Sequence, residues 1–210
     1  MNSRDQALRK PWGSLRRQRE AASLGMWIFL SSEALLFSGL ILAFAVNRFL
    51  HPVGFVAAGQ ETNVVLGTVN TLVLLTSSLS MAIGAEAARA GVRKLTLRAL
   101  SATIVLAFAF LVIKSFEWRK DLAEHLFPGT AFKLADATAQ IFFAFYWFMT
   151  GLHGLHVTAG ICAIGWLTWQ AWRGKRGLRS PAFEVAALYW HLVDVVWVFL
   201  YPLLYLGGRA

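Results

Sequence analysis

Glu33, His153, His156, His191 and Asp194 are the side chains of this 210-residue chain best suited to holding or moving a proton, and each lies within an apolar run. Glu33 sits in WIFLSSEALLFSGLILAF, the two histidines in FMTGLHGLHVTAG, and His191 with Asp194 in ALYWHLVDVVWVFLY. At bilayer depth a charged side chain costs at least a few kcal/mol, so it is paired, neutralised or functional. His153 and His156 are three residues apart, as are His191 and Asp194, and that spacing puts each pair on one helix face. No residue within a turn of Glu33 can neutralise it; its partner must come from another helix, or it must keep its proton through a raised pKa. Asp194 either accepts a hydrogen bond from a histidine or indole and fixes packing, or handles a proton. The histidine pair serves either as a hydrogen-bonding element or as metal ligands. Lys114 and Glu117 form a third i,i+3 pair, read as an interfacial ion pair whose members satisfy each other or snorkel to water.

Those residues need elements that hold them at one depth. The composition is 57% hydrophobic and only 15% charged, and a bilayer core needs roughly 20 apolar residues per helix. Five segments qualify, at about 24–47, 64–88, 97–118, 138–170 and 183–206. The fold class is therefore all-α, a polytopic membrane bundle of five transmembrane helices. Residues 1–23 are expected to form a basic cytoplasmic arm, and 24–208 the transmembrane domain. The basic run before the first segment is not read as a signal peptide, because that segment is too long, contains Glu33 and has no small-residue cleavage site after it. Cys162, the single cysteine, has no partner for an intrachain disulfide.

The net charge of +9 is distributed, not patched. Arg4, Arg9, Lys10, Arg16, Arg17 and Arg19 precede the first segment. Arg89, Arg93, Lys94 and Arg98 fill the second loop, and Arg173, Lys175, Arg176 and Arg179 the fourth. With five alternating helices these fall on one side, which predicts a cytoplasmic N-terminus and an external C-terminus. The pattern argues against a nucleic-acid partner.

Depth brings the polar residues together. At 1.5 Å per residue, Glu33 and Asp194 each lie about 14 Å above the cytoplasmic ends of their helices, and His156 at a comparable level. Ser77, Ser78 and Ser80 reach the same layer, so four helices contribute to it. Gly151, Gly154 and Gly160 permit close helix approach beside the histidines. Ser180-Pro181 is expected to open the fifth helix as N-cap and first residue. Pro202 is expected to bend it, freeing the Val198 carbonyl. A helix-bundle di-iron site would want Glu-x-x-His motifs, whereas the chain has His-x-x-His and His-x-x-Asp. Bis-histidine haem ligation and an ion-transport relay stay open on composition alone.

The sequence resembles subunit III of the haem-copper respiratory oxidases (cytochrome c and quinol oxidases). GMWIFLSSEALLFSG is similar to the family's glutamate-bearing segment, with Glu33 at the glutamate. VNTLVLLTSSLSMA is similar to the helix that follows, FYWFMTGLHGLHVTAG to the GxHGxHV helix, and FEVAALYWHLVDVVWVFLYPLLYL to the terminal YWHxVDxVW helix. The resemblance runs from Gly25 to Gly208. It implies an all-helical subunit with no cofactor of its own, packed against a catalytic subunit I and a subunit II, with haem and copper in the catalytic partner. It also implies support of proton uptake, bound membrane lipids, and a place in a bacterial inner membrane. The longest family members have seven helices; this chain resembles the shorter forms without the first two. Lys114, in FLVIKSFEWRKDL, departs from the uncharged residue of many oxidase subunits. Together with NTLVLLTSSL and YPLLYL, that segment resembles accessory proteins of nitric oxide reductases, the alternative association.

Overall fold

The computed structural model describes residues 14–134 and 136–209. Arg4, Arg9 and Lys10 of the expected arm lie outside the described residues. Five helices are long and apolar enough to cross a membrane: α1 (Leu15–Leu50), α3 (Val64–Ala90), α4 (Arg93–Ala123), α5 (Ala137–Trp172) and α6 (Ala182–Tyr201), the last extended by a π-helical turn over Pro202–Leu206. A short helix, α2 (Pro52–Glu61), lies between α1 and α3 in sequence. The all-α, five-span architecture is the one predicted.

Boundaries differ at both ends of the bundle. α1 begins at Leu15, not near residue 24, so residues 15–23 are helical. Ser14 caps it, its hydroxyl accepting from the Arg17 N–H at 3.3 Å, and Arg16 pairs with Glu20 at 2.8 Å one turn on. LRRQREAA contains strong helix formers, so the helix continues beyond its apolar stretch. Thirty-six residues make α1 about 54 Å long, well beyond a 30 Å hydrocarbon core.

His51-Pro52-Val53-Gly54 is rich in turn-forming residues, yet α2 runs through it from Pro52. Pro52 starts the helix, where its missing N–H costs nothing. Phe55 is then buried edge-on against Phe44 of α1 and Phe142 of α5, at 5.2 and 5.6 Å. α3 and α4 form the most extensive helix pair. Their hairpin turns at Gly91, whose φ of 80° is left-handed, and the Val92 N–H closes onto the Ala87 carbonyl at 2.9 Å. Asp136 caps α5. The Thr138 hydroxyl and N–H, at 2.7 and 2.8 Å, hold its carboxyl below the usual carboxylate range.

α6 opens one residue later than expected. Pro181 occupies the cap position and Ser180 Oγ lies 3.5 Å from the Ala182 N–H. At its far end Pro202 cannot donate to Val198, so the helix widens into the π-helical turn. Tyr205 of that turn is fully buried. The interior is aromatic, with Trp190, Trp197, Tyr146, Tyr205, Phe44 and Phe110 the largest buried side chains, while Leu72, Leu79, Val105, Phe108 and Phe199 face outward. Such outward apolar faces suit lipid as solvent, since lipid tails are as apolar as leucine.

Candidate functional site

Glu33 of α1 meets His156 of α5. Their Oε2 and Nε2 atoms are 3.0 Å apart, and the side chains are only 17% and 16% exposed. Nδ1 of His156 lies 2.8 Å from the Leu152 carbonyl one turn back, and a carbonyl only accepts, so Nδ1 carries a hydrogen. That fixes the other nitrogen as the one facing Glu33. A hydrogen on one of the two facing atoms, Oε2 or Nε2, completes that contact. Phe37 packs edge-on against the imidazole at 5.4 Å, and the Tyr189 hydroxyl of α6 donates to the His156 carbonyl at 2.9 Å. Common depth alone leaves His153, His156, His191 and Asp194 as possible partners of Glu33, and the contact in the structure is with His156.

The other residues of the expected layer go elsewhere. His191 Nδ1 lies 2.7 Å from the Ser78 hydroxyl of α3, and the Trp190 indole N–H donates to Ser77 Oγ at 3.1 Å. Neither Asp194 oxygen has a hydrogen-bond partner among the described residues, although the Ser78 hydroxyl lies beside it; the expected bond from a histidine or indole is not made. His153 does not join His156. It is turned inward between Phe110 of α4 and Trp197 of α6, at 5.6 and 5.0 Å, and neither ring nitrogen has a hydrogen-bond partner among the described residues. Three residues of helix amount to about 300° of rotation. At a seam between several helices the remaining 60° is enough to give i,i+3 neighbours different partners. Among the described residues the layer thus holds separate hydrogen-bonded pairs, Glu33–His156, His191–Ser78 and Trp190–Ser77, rather than one network.

Lys114 and Glu117 pair, with Nζ and Oε2 3.1 Å apart, but they are not interfacial. Their side chains are 4% and 1% exposed, so snorkelling is replaced by burial in the bundle. Lys114 Nζ also donates to the hydroxyls of Tyr146 (2.9 Å) and Tyr205 (2.6 Å), and sits 4.5 Å from the Tyr146 ring centroid. All three ammonium hydrogens are therefore used. Tyr146 reaches on to Glu117 Oε1 at 3.0 Å and Asp121 Oδ2 at 2.8 Å. Asp121, Tyr146 and Tyr205 are functional candidates that sequence reading missed. The available signal was stripe spacing: 114, 117 and 121 share one face of α4, and Tyr146 lies two turns before His153 on α5.

Among the described residues no group of three or more His, Cys, Asp or Glu side chains is placed to hold a metal ion. Compared with known proteins, residues 16–209 match the family model for cytochrome c oxidase subunit III. The chain belongs to the cytochrome c oxidase subunit III family. It is 34% identical to cytochrome c oxidase subunit 3 of Bacillus subtilis, over 89% of this chain and 86% of that one. It is 32% identical to the Synechocystis subunit 3, over 87% and 74%. It also matches a heme-copper oxidase subunit I+III of Aeropyrum pernix at 31%, covering 86% of this chain and 22% of the longer one. As a subunit III of a haem-copper terminal oxidase, it is a multi-pass bacterial membrane protein of the respiratory chain.

Proposed function

We propose that this subunit III carries no redox centre and supports proton uptake by a catalytic subunit I that holds the haems and copper, with a subunit II completing the complex. The observation that carries this is the Glu33–His156 pair, a mostly buried acid and base 3.0 Å apart at a helix seam. An acid and a base in direct contact can accept a proton and release it again. The fused subunit I+III of Aeropyrum pernix supports a place beside subunit I. Lys114, the residue that suggested a nitric oxide reductase association, has a full set of buried partners here, and no comparison favours that branch.

The orientation proposed is N-terminus inside and C-terminus outside, from the basic residues at the α1, α3–α4 and α5–α6 end. Accessibility tags at Asn2 and Ala210 should report opposite faces of the membrane; tags on the same face would rule this orientation out.

Glu33→Gln separates the proton role from a packing role. Glutamine keeps the shape, and its amide can donate to His156 Nε2, but it cannot ionise. Assembly and the visible spectrum should be preserved. Sustained turnover or pumping efficiency should fall, most at high pH, where protons are scarce. Oxygen consumption and proton release in vesicles with equal amounts of assembled enzyme measure both. Unchanged rate, durability and pumping would leave Glu33 a packing residue and end the proton-uptake reading.

A further inference from the structure

The cluster around Lys114 has one hydrogen too few for its contacts. The Tyr146 oxygen lies 2.9 Å from Lys114 Nζ, 3.0 Å from Glu117 Oε1 and 2.8 Å from Asp121 Oδ2. Lys114 can only donate, so it occupies one lone pair of the hydroxyl. The hydroxyl has a single hydrogen to give, and two carboxyl oxygens stand within reach of it. Whichever carboxyl is not served faces Tyr146 oxygen to oxygen, and that contact requires a hydrogen of its own. Charge counting reaches the same point. One ammonium and two carboxylates leave a net negative charge among buried side chains, where an uncompensated charge is expensive. One proton on either carboxyl removes the charge and supplies the missing donor.

We propose that Glu117 and Asp121 share one exchangeable proton through the Tyr146 hydroxyl, forming a proton-binding site separate from the Glu33–His156 pair. Lys114 bonds to Glu117 and keeps it ionised, so the proton rests on Asp121, which donates to the Tyr146 oxygen while Tyr146 donates to Glu117. A concerted shift passes the Asp121 proton to the Tyr146 oxygen as the original hydroxyl proton moves to Glu117 Oε1. Asp121 is then ionised, Glu117 neutral and Tyr146 unchanged. One proton has moved about one helical turn along α4, ~6 Å.

The charged and titratable groups facing this site are Lys114 and Glu117 on α4 itself, Glu124 at its C-cap, Tyr146 and His153 from α5, and Tyr205 from the π-helical turn. Outward, Asp121 lies two residues from the end of α4, and the partly exposed Glu124 follows, within 3.9 Å of Lys133. Inward, Lys114 and the unpartnered His153 both lie against the Trp197 ring. The site thus sits between the surface that carries α2 and the middle of the bundle.

Infrared difference spectra of the assembled complex, parent minus Asp121→Asn, in H2O and D2O at neutral pH, test this. The expected result is one deuterium-sensitive carboxylic-acid carbonyl band, equivalent to one group per complex, present in the parent and lost in Asp121→Asn. Tyr146→Phe should keep that band and raise its frequency, because the acid loses its acceptor. If Asp121→Asn does not assemble, 13C-labelling of aspartate carboxyls in parent and Tyr146→Phe complexes reads the same band by its isotope shift. A parent with no band lost in Asp121→Asn, or none that moves with the label, means that Asp121 does not hold the proton and overturns the proposal.

Discussion

Replacing Lys114 with methionine should cost about 3–5 kcal/mol of stability, the size of effect seen when one member of a buried ion pair is removed. The pair itself need not stabilise the bundle strongly, because burying two charges offsets much of their attraction. The cost comes from what is left behind. Without the ammonium, Glu117 is a carboxylate 1% exposed, and the Tyr146 and Tyr205 hydroxyls each lose a donor. Little assembled complex should then accumulate, and whatever forms should unfold at lower temperature or denaturant concentration. Adding Glu117→Gln should recover a substantial part of the loss, since the second change removes the stranded charge. A double-mutant cycle on the quantity of assembled complex and its melting midpoint measures this coupling. Full stability of the single methionine variant would mean that water or another cation reaches Glu117, and the buried cluster would not exist as described.

Gly160→Leu should strongly damage the packing of α5 against α6. A Cβ at this position would lie 2.7 and 2.8 Å from two ring carbons of Trp190 and 3.2 Å from Tyr189. Trp190 is fully buried, and its indole N–H is bonded to Ser77, so the ring cannot swing aside without breaking that bond. Overpacking of this kind costs about 1–3 kcal/mol, and the lost indole bond adds about 1 kcal/mol. Gly154→Ala is the matched control six residues earlier on the same helix. Its Cβ would come no closer than 4.0 Å to Trp118, so assembly should be unaffected. Equal assembly of the two variants would contradict the α5–α6 contact.

Much of the architecture is legible in the sequence because lipid permits few spanning solutions. Five apolar runs separated by basic or turn-rich loops allow little but five helices. Helical rise puts Glu33 and His156 at one depth although 123 positions separate them, but depth alone does not choose His156 over His153, His191 or Asp194. Rotation about the helix axis is harder to read. His153 and His156 share a sequence face yet meet different neighbours, because each lies near a boundary between packing partners. The Lys114 cluster was less legible still. Its members come from α4, α5 and the turn after Pro202; the expected third segment stops at Trp118, short of Asp121, and the widened π-helical turn sets where Tyr205 points. α2 escaped notice because ten residues are too few to span a membrane and its apolar side chains, in a predicted loop, had no visible surface to cover.

The central claim is that this chain is a colourless partner of a haem-copper catalytic subunit. Affinity purification of the tagged full chain from its native membranes, followed by visible spectroscopy of the complex and of the chain made without its partners, tests it most directly. The account predicts that the complex brings down a haem-bearing partner and shows that partner's reduced-minus-oxidised spectrum, while the chain alone is folded, helical and without visible absorbance. A chain that keeps haem absorbance by itself, or that purifies free of any oxidase subunit from membranes that contain the oxidase, would contradict it.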